Sequence, residues 1–183
     1  LDAFRLLREG FGRRSLGYLI LDASRRFTDQ GREWTGYSYL VPNQWNGRWR
    51  RIRVLGDKHG GLCTRHISRD PSLVSAMART MNARIKVVHA IRNPYDNITT
   101  MGRKAGIALP QAVDRYIDLS RRVDMIRRHI APEDWFDIRN EDLIRDPALK
   151  IRQLVEFLGE EASPDYLNDA AGILLDQPRK TRS

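Results

Sequence analysis

Residues 86–104 read KVVHAIRNPYDNITTMGRK, an apolar run followed directly by a helix-start pattern. The nearly continuous apolar run over residues 87–91 predicts a strand that is covered on both faces. Asn93 is a favourable N-cap and Pro94 suits the first helical position, so the sequence predicts a helix that begins here. A parallel strand that runs directly into a helix N-terminus is where α/β proteins commonly hold a phosphate group.

Arg92 lies at this junction and brings a planar, permanently charged guanidinium group. Thr100 follows eight residues later, two turns into the predicted helix, so its hydroxyl meets the same ligand only if that ligand lies along the helix. The alternative is that Arg92 pairs with Asp96 and only ties the loop together, as many surface ion pairs do.

The rest of the chain alternates between predicted strands and helices, which indicates an α/β, three-layer fold with a central parallel sheet. The length of 183 residues fits a single domain spanning residues 1–183. The predicted strands cover residues 52–55, 87–91 and 135–138. The predicted helices cover residues 1–27 with a bend, 71–82, 110–130, 147–158 and 164–175, whereas residues 28–50 show no clear period.

The composition is that of a globular protein, with 41% hydrophobic and 30% charged residues and a net charge of +9. Such a charge favours acidic partners, but the arginines are scattered and no zinc-finger or RNA-binding signature is present, so we expect no nucleic acid partner. No apolar run reaches the ~18 residues of a membrane span. The single Cys63 excludes an internal disulfide, fits a reducing compartment and leads us to predict a cytoplasmic protein.

A second candidate anion site is the glycine-rich stretch VLGDKHGG at residues 54–61. Backbone N–H groups can converge in such a turn, and Lys58 adds a point charge beside His59. The spacing is not that of a Walker A loop. The alternative is that Asp57 and Lys58 form an ordinary surface pair.

The stretch IRNPYDNITTM at residues 91–101 resembles the 3′-phosphate-binding motif of sulfotransferases that use 3′-phosphoadenosine 5′-phosphosulfate (PAPS). Arg92, Asn93, Pro94 and Asp96 match that motif, and Thr100 stands where the family has Ser. The resemblance implies a fold like that of P-loop NTPases, PAPS as co-substrate without a metal, and a 3′-phosphate held by Arg92 and Thr100.

Two further stretches resemble the bacterial-type family in the same order along the chain. VLGDKHGG is similar to a segment whose Lys points into the active site, which implies that Lys58 acts near the sulfonate, with His59 as a candidate base. RNEDLIRDPALKIRQLVEFLG at residues 139–159 matches a third segment, although Asn140 replaces a Tyr that helps to hold the adenine in some relatives. The resemblance covers residues 52–182. It also implies that a basic tail closes over the 3′-phosphate, with these candidates: Arg179, Lys180 and Arg182.

The loop that binds the 5′-phosphosulfate in this family has no counterpart in the sequence, so we expect it to precede Leu1 and the chain to be truncated at its N-terminus. The implied reaction is sulfonate transfer to a hydroxyl or amine of a small-molecule or glycan acceptor. Two alternatives remain: a related nucleotide kinase, for which the Walker A Lys is missing, and a non-catalytic polyanion-binding module. The acceptor and the oligomeric state are left open.

Overall fold

The computed structural model describes residues 2–34, 37–40, 49–58 and 60–175. The chain forms two compact units, unit 1 (Leu1–Ile85) and unit 2 (Lys86–Ser183).

Unit 1 contains helices and a short antiparallel hairpin. Its helices are α1 (Ala3–Arg8), α2 (Arg13–Asp29), α3 (Gly60–Arg69) and α4 (Ser72–Met81), and its hairpin consists of β1 (Glu33–Trp34) and β2 (Tyr37–Ser38). The two helices that the sequence predicts over residues 1–27, with a break near Gly10, are confirmed as α1 and α2, and the helix predicted over residues 71–82 is confirmed as α4.

The core of unit 1 lies where α1, α2 and α4 meet. Ala3, Leu16 and Met77 are buried there, with Leu16 fully inaccessible to solvent. Half-buried apolar side chains from these helices, together with Ile85 after α4, surround them, because each helix places its apolar stripe against the others. Ile20 and Ile85 belong to this outer layer.

The start of α1 is held by two carboxylates from different parts of unit 1. The Asp2 side chain caps the helix by accepting a hydrogen bond from the Arg5 backbone N–H at 3.0 Å, and its other oxygen lies 2.9 Å from Nε2 of His66. The Asp57 side chain accepts a hydrogen bond from the Ala3 backbone N–H at 3.3 Å. Asp57 therefore binds α1, which differs from the surface pair with Lys58 considered above.

Unit 2 contains a pair of parallel strands and the helices that follow and connect them. The elements are β3 (Val87–Ile91), α5 (Pro94–Ala105), α6 (Leu109–Arg127), a 3₁₀ turn (Pro132–Asp134), β4 (Trp135–Arg139), α7 (Asn140–Arg145), α8 (Pro147–Leu158) and α9 (Pro164–Leu175). The predicted α/β class with a parallel sheet is confirmed, and in the described part of the chain this sheet has two strands.

The two faces of the β3–β4 pair differ in what covers them. On one face Phe136 stacks on Phe157 of α8, with ring centroids 5.2 Å apart, and neighbouring Ile138 is buried. Val88 nevertheless keeps 42% of its surface exposed. The predicted cover on both faces is therefore wrong for β3, whose residues alternate between half-buried and exposed.

Helix α8 begins and ends at residues that the sequence identifies. The Asp146 side chain accepts a hydrogen bond from the Leu149 backbone N–H at 3.1 Å and so caps its first turn. Gly159 ends the helix with φ +85°, the left-handed conformation that glycine adopts without steric cost.

Two predictions about residues 52–61 are wrong, and one pair of strands was not predicted. Residues 52–55 form no strand: they are exposed, and the described residues offer no partner strand to satisfy their backbone groups. Gly60 and Gly61 do not belong to a turn but begin α3, whose Ile67 is buried. The hairpin of β1 and β2 was not predicted, because two-residue strands are too short to show an alternating pattern.

Within the described residues, no helix has both the length and the apolar character needed to cross a bilayer. No group of three or more His, Cys, Asp or Glu side chains among these residues is arranged so that it could hold a metal ion.

A matched pair of glycine substitutions tests the end of α8. Gly159→Ala should lower the free energy of unfolding by about 1 kcal/mol, because alanine is strained at a positive φ. Gly172→Ala, inside α9 and with open space around the added methyl group, should raise it by roughly 0.5–1 kcal/mol. Urea unfolding of both variants measures the difference, and effects of the same sign would contradict this account of Gly159.

Candidate functional site

The candidate site lies at the edge of unit 2 where β3 and β4 both end. Because the strands are parallel, the residues that follow each of them meet at this edge. β3 leads through Arg92 and Asn93 into α5, and β4 leads directly into α7. The backbone N–H of Asn93 donates a hydrogen bond of 2.9 Å to Oε1 of Glu141, a residue in the first turn of α7. This bond joins the two strand ends.

The beginning of α5 is as the sequence predicts. The Asn93 side chain accepts a hydrogen bond from the Tyr95 backbone N–H at 3.0 Å, and Pro94 occupies the first helical position. Asp96 lies in the first turn, where its negative charge favours the helix dipole. The local sequence therefore fixes where β3 stops and which way the backbone turns at the candidate site.

Arg92 extends along the first turn of α5 towards Asp96. Its Nη2 lies 3.6 Å from Oδ2 of Asp96, and the Arg92 side chain remains 49% exposed. This separation is an ion pair but exceeds a good hydrogen bond, and such surface pairs contribute only about 0–1 kcal/mol. The pairing considered as an alternative above is thus present, but it is weak enough for an anion to compete with it.

Thr100 lies on the same side of α5 as Asp96, since a spacing of four residues brings side chains to one face of a helix. It is half-buried and lies one turn beyond Asp96, about 12 Å of helix rise from Arg92. The neighbouring Thr99 uses its hydroxyl to donate a hydrogen bond to the carbonyl of Tyr95. A single ligand can meet both Arg92 and Thr100 only if it lies along this face of α5.

The environment of Glu141 lowers the pKa of its carboxyl group below the ordinary value of 4.5. The main causes are hydrogen bonds from the backbone N–H groups of Glu141 itself and of Asn93, followed by the positive charges of Arg139 and Arg92. Each of these interactions favours the ionised form. The edge therefore carries two arginines together with a carboxylate that stays ionised.

A second polar cluster lies on the strands just before this edge. His89 and Asp137 are partners in the sheet register, and Nδ1 of His89 lies 2.9 Å from Oδ1 of Asp137. The same oxygen accepts a hydrogen bond of 2.8 Å from the Trp135 indole, and the other oxygen lies 2.9 Å from Nη1 of Arg127. Arg127 remains 58% exposed, and its guanidinium group binds Asp137 from the end of α6.

Asp137 is the centre of this cluster, and the pKa of its carboxyl group lies below the ordinary value of 3.8. Burial alone would raise the pKa, but hydrogen bonds from Trp135 and His89 and the charge of Arg127 lower it by more. The ionised Asp137 therefore connects β3, β4 and α6 immediately behind the edge.

The other predicted site residues lie in unit 1 or outside the described residues. Lys58 belongs to unit 1, where its Nζ lies 4.8 Å from the centroid of the Tyr39 ring. His59 lies outside the described residues, as does the whole predicted tail of Arg179, Lys180 and Arg182. Their roles stay predictions.

Comparison with protein families identifies the chain. The sequence model of the sulfotransferase family matches residues 66–164, which is more than half of the chain. The chain belongs to the sulfotransferase family. The match includes Arg92 and Thr100 and also Glu141, His89 and Asp137, so both polar clusters of unit 2 lie in the part that this family shares.

Two curated relatives are omega-hydroxy-beta-dihydromenaquinone-9 sulfotransferases from Mycobacterium bovis and Mycobacterium tuberculosis, each 29% identical over 110 residues. The match covers 60% of this chain but only 26% of each relative, so the chain spans about a quarter of their length. Among solved structures, the sulfotransferase domain from the curacin biosynthetic pathway is 21% identical, with a TM-score of 0.44, over 56% of this chain and 39% of that chain.

Glu141 is the residue of the site to which the sequence alone gave no role. It is 48 residues from its partner Asn93, and no local pattern connects the two. The available signal was the order of elements: two parallel strands each followed immediately by a polar residue and a helix. That order places residues 92–93 and 140–141 at one edge of a sulfotransferase-family domain.

The lowered pKa of Glu141 predicts how this residue contributes to stability as the pH changes. The contribution of the ionised carboxylate is complete above its ordinary value of 4.5 and is lost as the pH falls through the lower pKa of the folded protein. We expect Glu141→Gln to unfold at a lower urea concentration than the wild type at pH 7. The difference between their urea midpoints should become smaller below pH 4.5. Urea titrations between pH 3 and 7 measure it, and a difference that is independent of pH would contradict this role.

Proposed function

We propose that the chain is part of an enzyme that transfers a sulfonate group from PAPS to an acceptor hydroxyl or amine. The acceptor is a small molecule or a glycan, and a hydroxyl is favoured because the mycobacterial relatives are named as sulfotransferases of an omega-hydroxy compound. In this reaction the acceptor oxygen bonds to sulfur, the bond between sulfur and the 5′-phosphate oxygen breaks, and 3′,5′-bisphosphoadenosine leaves. A base takes the acceptor proton.

The observation that carries the proposal is the half-exposed Arg92 guanidinium at the carboxyl end of β3, beside the N-terminus of α5. A 3′-phosphate offers two or three charged oxygens to this guanidinium group, whereas Asp96 contacts it at only 3.6 Å. Charge-assisted hydrogen bonds contribute about 1.5–3 kcal/mol each, more than the roughly 0–1 kcal/mol of a surface ion pair. A phosphate can therefore replace Asp96 as the partner of Arg92.

The remaining predicted residues receive roles in the same proposal. Thr100 donates its hydroxyl to the 3′-phosphate side of the nucleotide, and Lys58 stabilises the negative charge that develops on the bridging oxygen as the nucleotide leaves. His59 is the candidate base. Arg179, Lys180 and Arg182 are proposed to close over the 3′-phosphate.

Nucleotide selectivity tests the role of Arg92. The chain should bind 3′,5′-bisphosphoadenosine at least about tenfold more tightly than AMP, because AMP lacks the 3′-phosphate that pairs with Arg92. Arg92→Ala should remove most of this preference while AMP binding changes little. Arg92→Lys should keep only part of the preference, since lysine has no planar guanidinium group to form two parallel hydrogen bonds with the phosphate. Isothermal titration calorimetry measures both affinities for each protein.

The control for this experiment is Arg103→Ala, which removes the same charge from the last turn of α5. It should keep the preference, because Arg103 lies three turns from Arg92. Equal affinity of the wild type for both nucleotides would overturn the site, and an equal loss in both alanine variants would show that overall charge, not Arg92, attracts the nucleotide.

Adjacent threonines provide a second test of how the nucleotide lies on α5. Thr100→Val should weaken binding of 3′,5′-bisphosphoadenosine by roughly fivefold or more, because it removes one hydroxyl bound to a charged group. Thr99→Val removes a hydroxyl that already bonds the Tyr95 carbonyl and should leave that affinity nearly unchanged. Calorimetry of the two variants compares them directly, and a larger loss for Thr99→Val would reverse the assignment.

A further inference from the structure

Unit 1 has an open groove between α2 and the exposed segment of residues 49–58. Its volume is about 280 Å³. Apart from Ser24 and Gly56, the side chains that line the described groove are apolar: Ile20, Leu21, Trp49, Ile52, Val54 and Leu55. Neither of the roles proposed for Lys58 and Arg92 uses this groove.

The outer wall of the groove consists of large apolar side chains that stay in contact with water. Trp49, Ile52, Val54 and Leu55 each keep 37–44% of their surface exposed. They lie within seven consecutive residues, so they form one patch, and a concentrated apolar patch on a protein surface marks an interaction site. A tryptophan among aliphatic side chains is typical of surfaces that meet the boundary between lipid and water.

The net positive charge of the chain comes from the unit that carries this groove. Unit 1 has 16 Lys and Arg residues against 7 Asp and Glu residues, whereas unit 2 has 16 of each, so the entire net charge of +9 belongs to unit 1. Several arginines lie in the two elements that form the groove. Arg51 is exposed between Trp49 and Ile52, and Arg25 is exposed next to Ser24 on α2.

From this combination we infer that the groove and its basic surroundings form a docking surface for an anionic lipid bilayer. The arginines are attracted to the negatively charged headgroups, and the apolar side chains of residues 49–55 enter the boundary of the acyl chains. A nucleic acid would satisfy the charge but would leave Ile52, Val54 and Leu55 exposed to water. An uncharged apolar partner would leave the excess of nine positive charges in unit 1 without a role.

Sedimentation of the 183-residue chain with vesicles tests this inference, independently of sulfonate transfer. Vesicles of phosphatidylcholine with about one third phosphatidylglycerol should bind the chain, and vesicles of phosphatidylcholine alone should bind it far more weakly. Raising the salt concentration should release the chain from the anionic vesicles, because the attraction to the headgroups is screened.

Two double variants separate the contributions of charge and apolar contact. Arg25→Gln with Arg51→Gln should weaken binding to the anionic vesicles by roughly 25-fold, at about fivefold for each arginine. Ile52→Ser with Val54→Ser should weaken it by about tenfold. These four side chains are exposed, so the variants should retain the circular dichroism spectrum of the wild type.

Matched controls come from unit 2. Arg103→Gln with Arg121→Gln removes the same total charge from exposed positions, and Leu109→Ser with Ile117→Ser removes exposed apolar side chains. Both controls should bind vesicles nearly as the wild type does. Equal losses in the unit 1 and unit 2 variants would overturn the inference, because binding would then follow net charge or general hydrophobicity.

Two other outcomes would also overturn it. In the first, the wild type does not bind vesicles, and light scattering detects a dimer that the Ile52→Ser, Val54→Ser variant does not form. The groove would then be covered by a second copy of the chain. If single-stranded RNA binds more tightly than anionic vesicles and the serine variant binds RNA normally, the basic surface serves a polyanion and the apolar groove plays no part.

Discussion

The candidate site depends on the parallel pairing of β3 and β4. Pairing in parallel brings both carboxyl ends to one edge, so Arg92, Asn93 and Glu141 meet although 48 residues separate Asn93 from Glu141. An antiparallel arrangement would place the two strand ends at opposite edges and disperse these groups. The hydrogen bond from the Asn93 backbone to Glu141 directly connects the two strand ends. It also fixes the start of α5, where the Arg92 guanidinium group contacts Asp96.

Asp137 supports this arrangement from behind the edge. Its carboxylate binds groups from β3, β4 and α6 at once, and each bond also lowers its pKa, so the charge that holds the elements together persists at neutral pH. Interactions of this kind specify register, because a slip of one residue would move His89 to the opposite face from Asp137. The polar contacts of Asp137 therefore lie on one face of the strand pair, and the stacked rings of Phe136 and Phe157 lie on the other.

The sequence was most informative where the cause of a structure is local. The start of α5 follows from Asn93 and Pro94, and the end of α8 follows from Gly159, because capping depends on a few adjacent residues. The strand predicted at residues 52–55 is wrong. The alternation of arginine and apolar residues there is typical of a half-buried strand, but these residues have no partner strand among the described residues. The bonds of Glu141 to Asn93 and of His89 to Asp137 each join residues 48 positions apart, and their existence follows only from the packed fold.

The separation between β3 and β4 also has a consequence for the order in which the chain folds. The two strands are joined through α5, α6 and a 3₁₀ turn, so closing this parallel pair requires a loop of more than forty residues. The local helices can form on their own timescale, whereas the pairing of β3 with β4 must wait until that loop has closed. A nascent or partly refolded chain therefore has helical content before Arg92, Asn93 and Glu141 meet at one edge, so assembly of the candidate site is a late event in maturation.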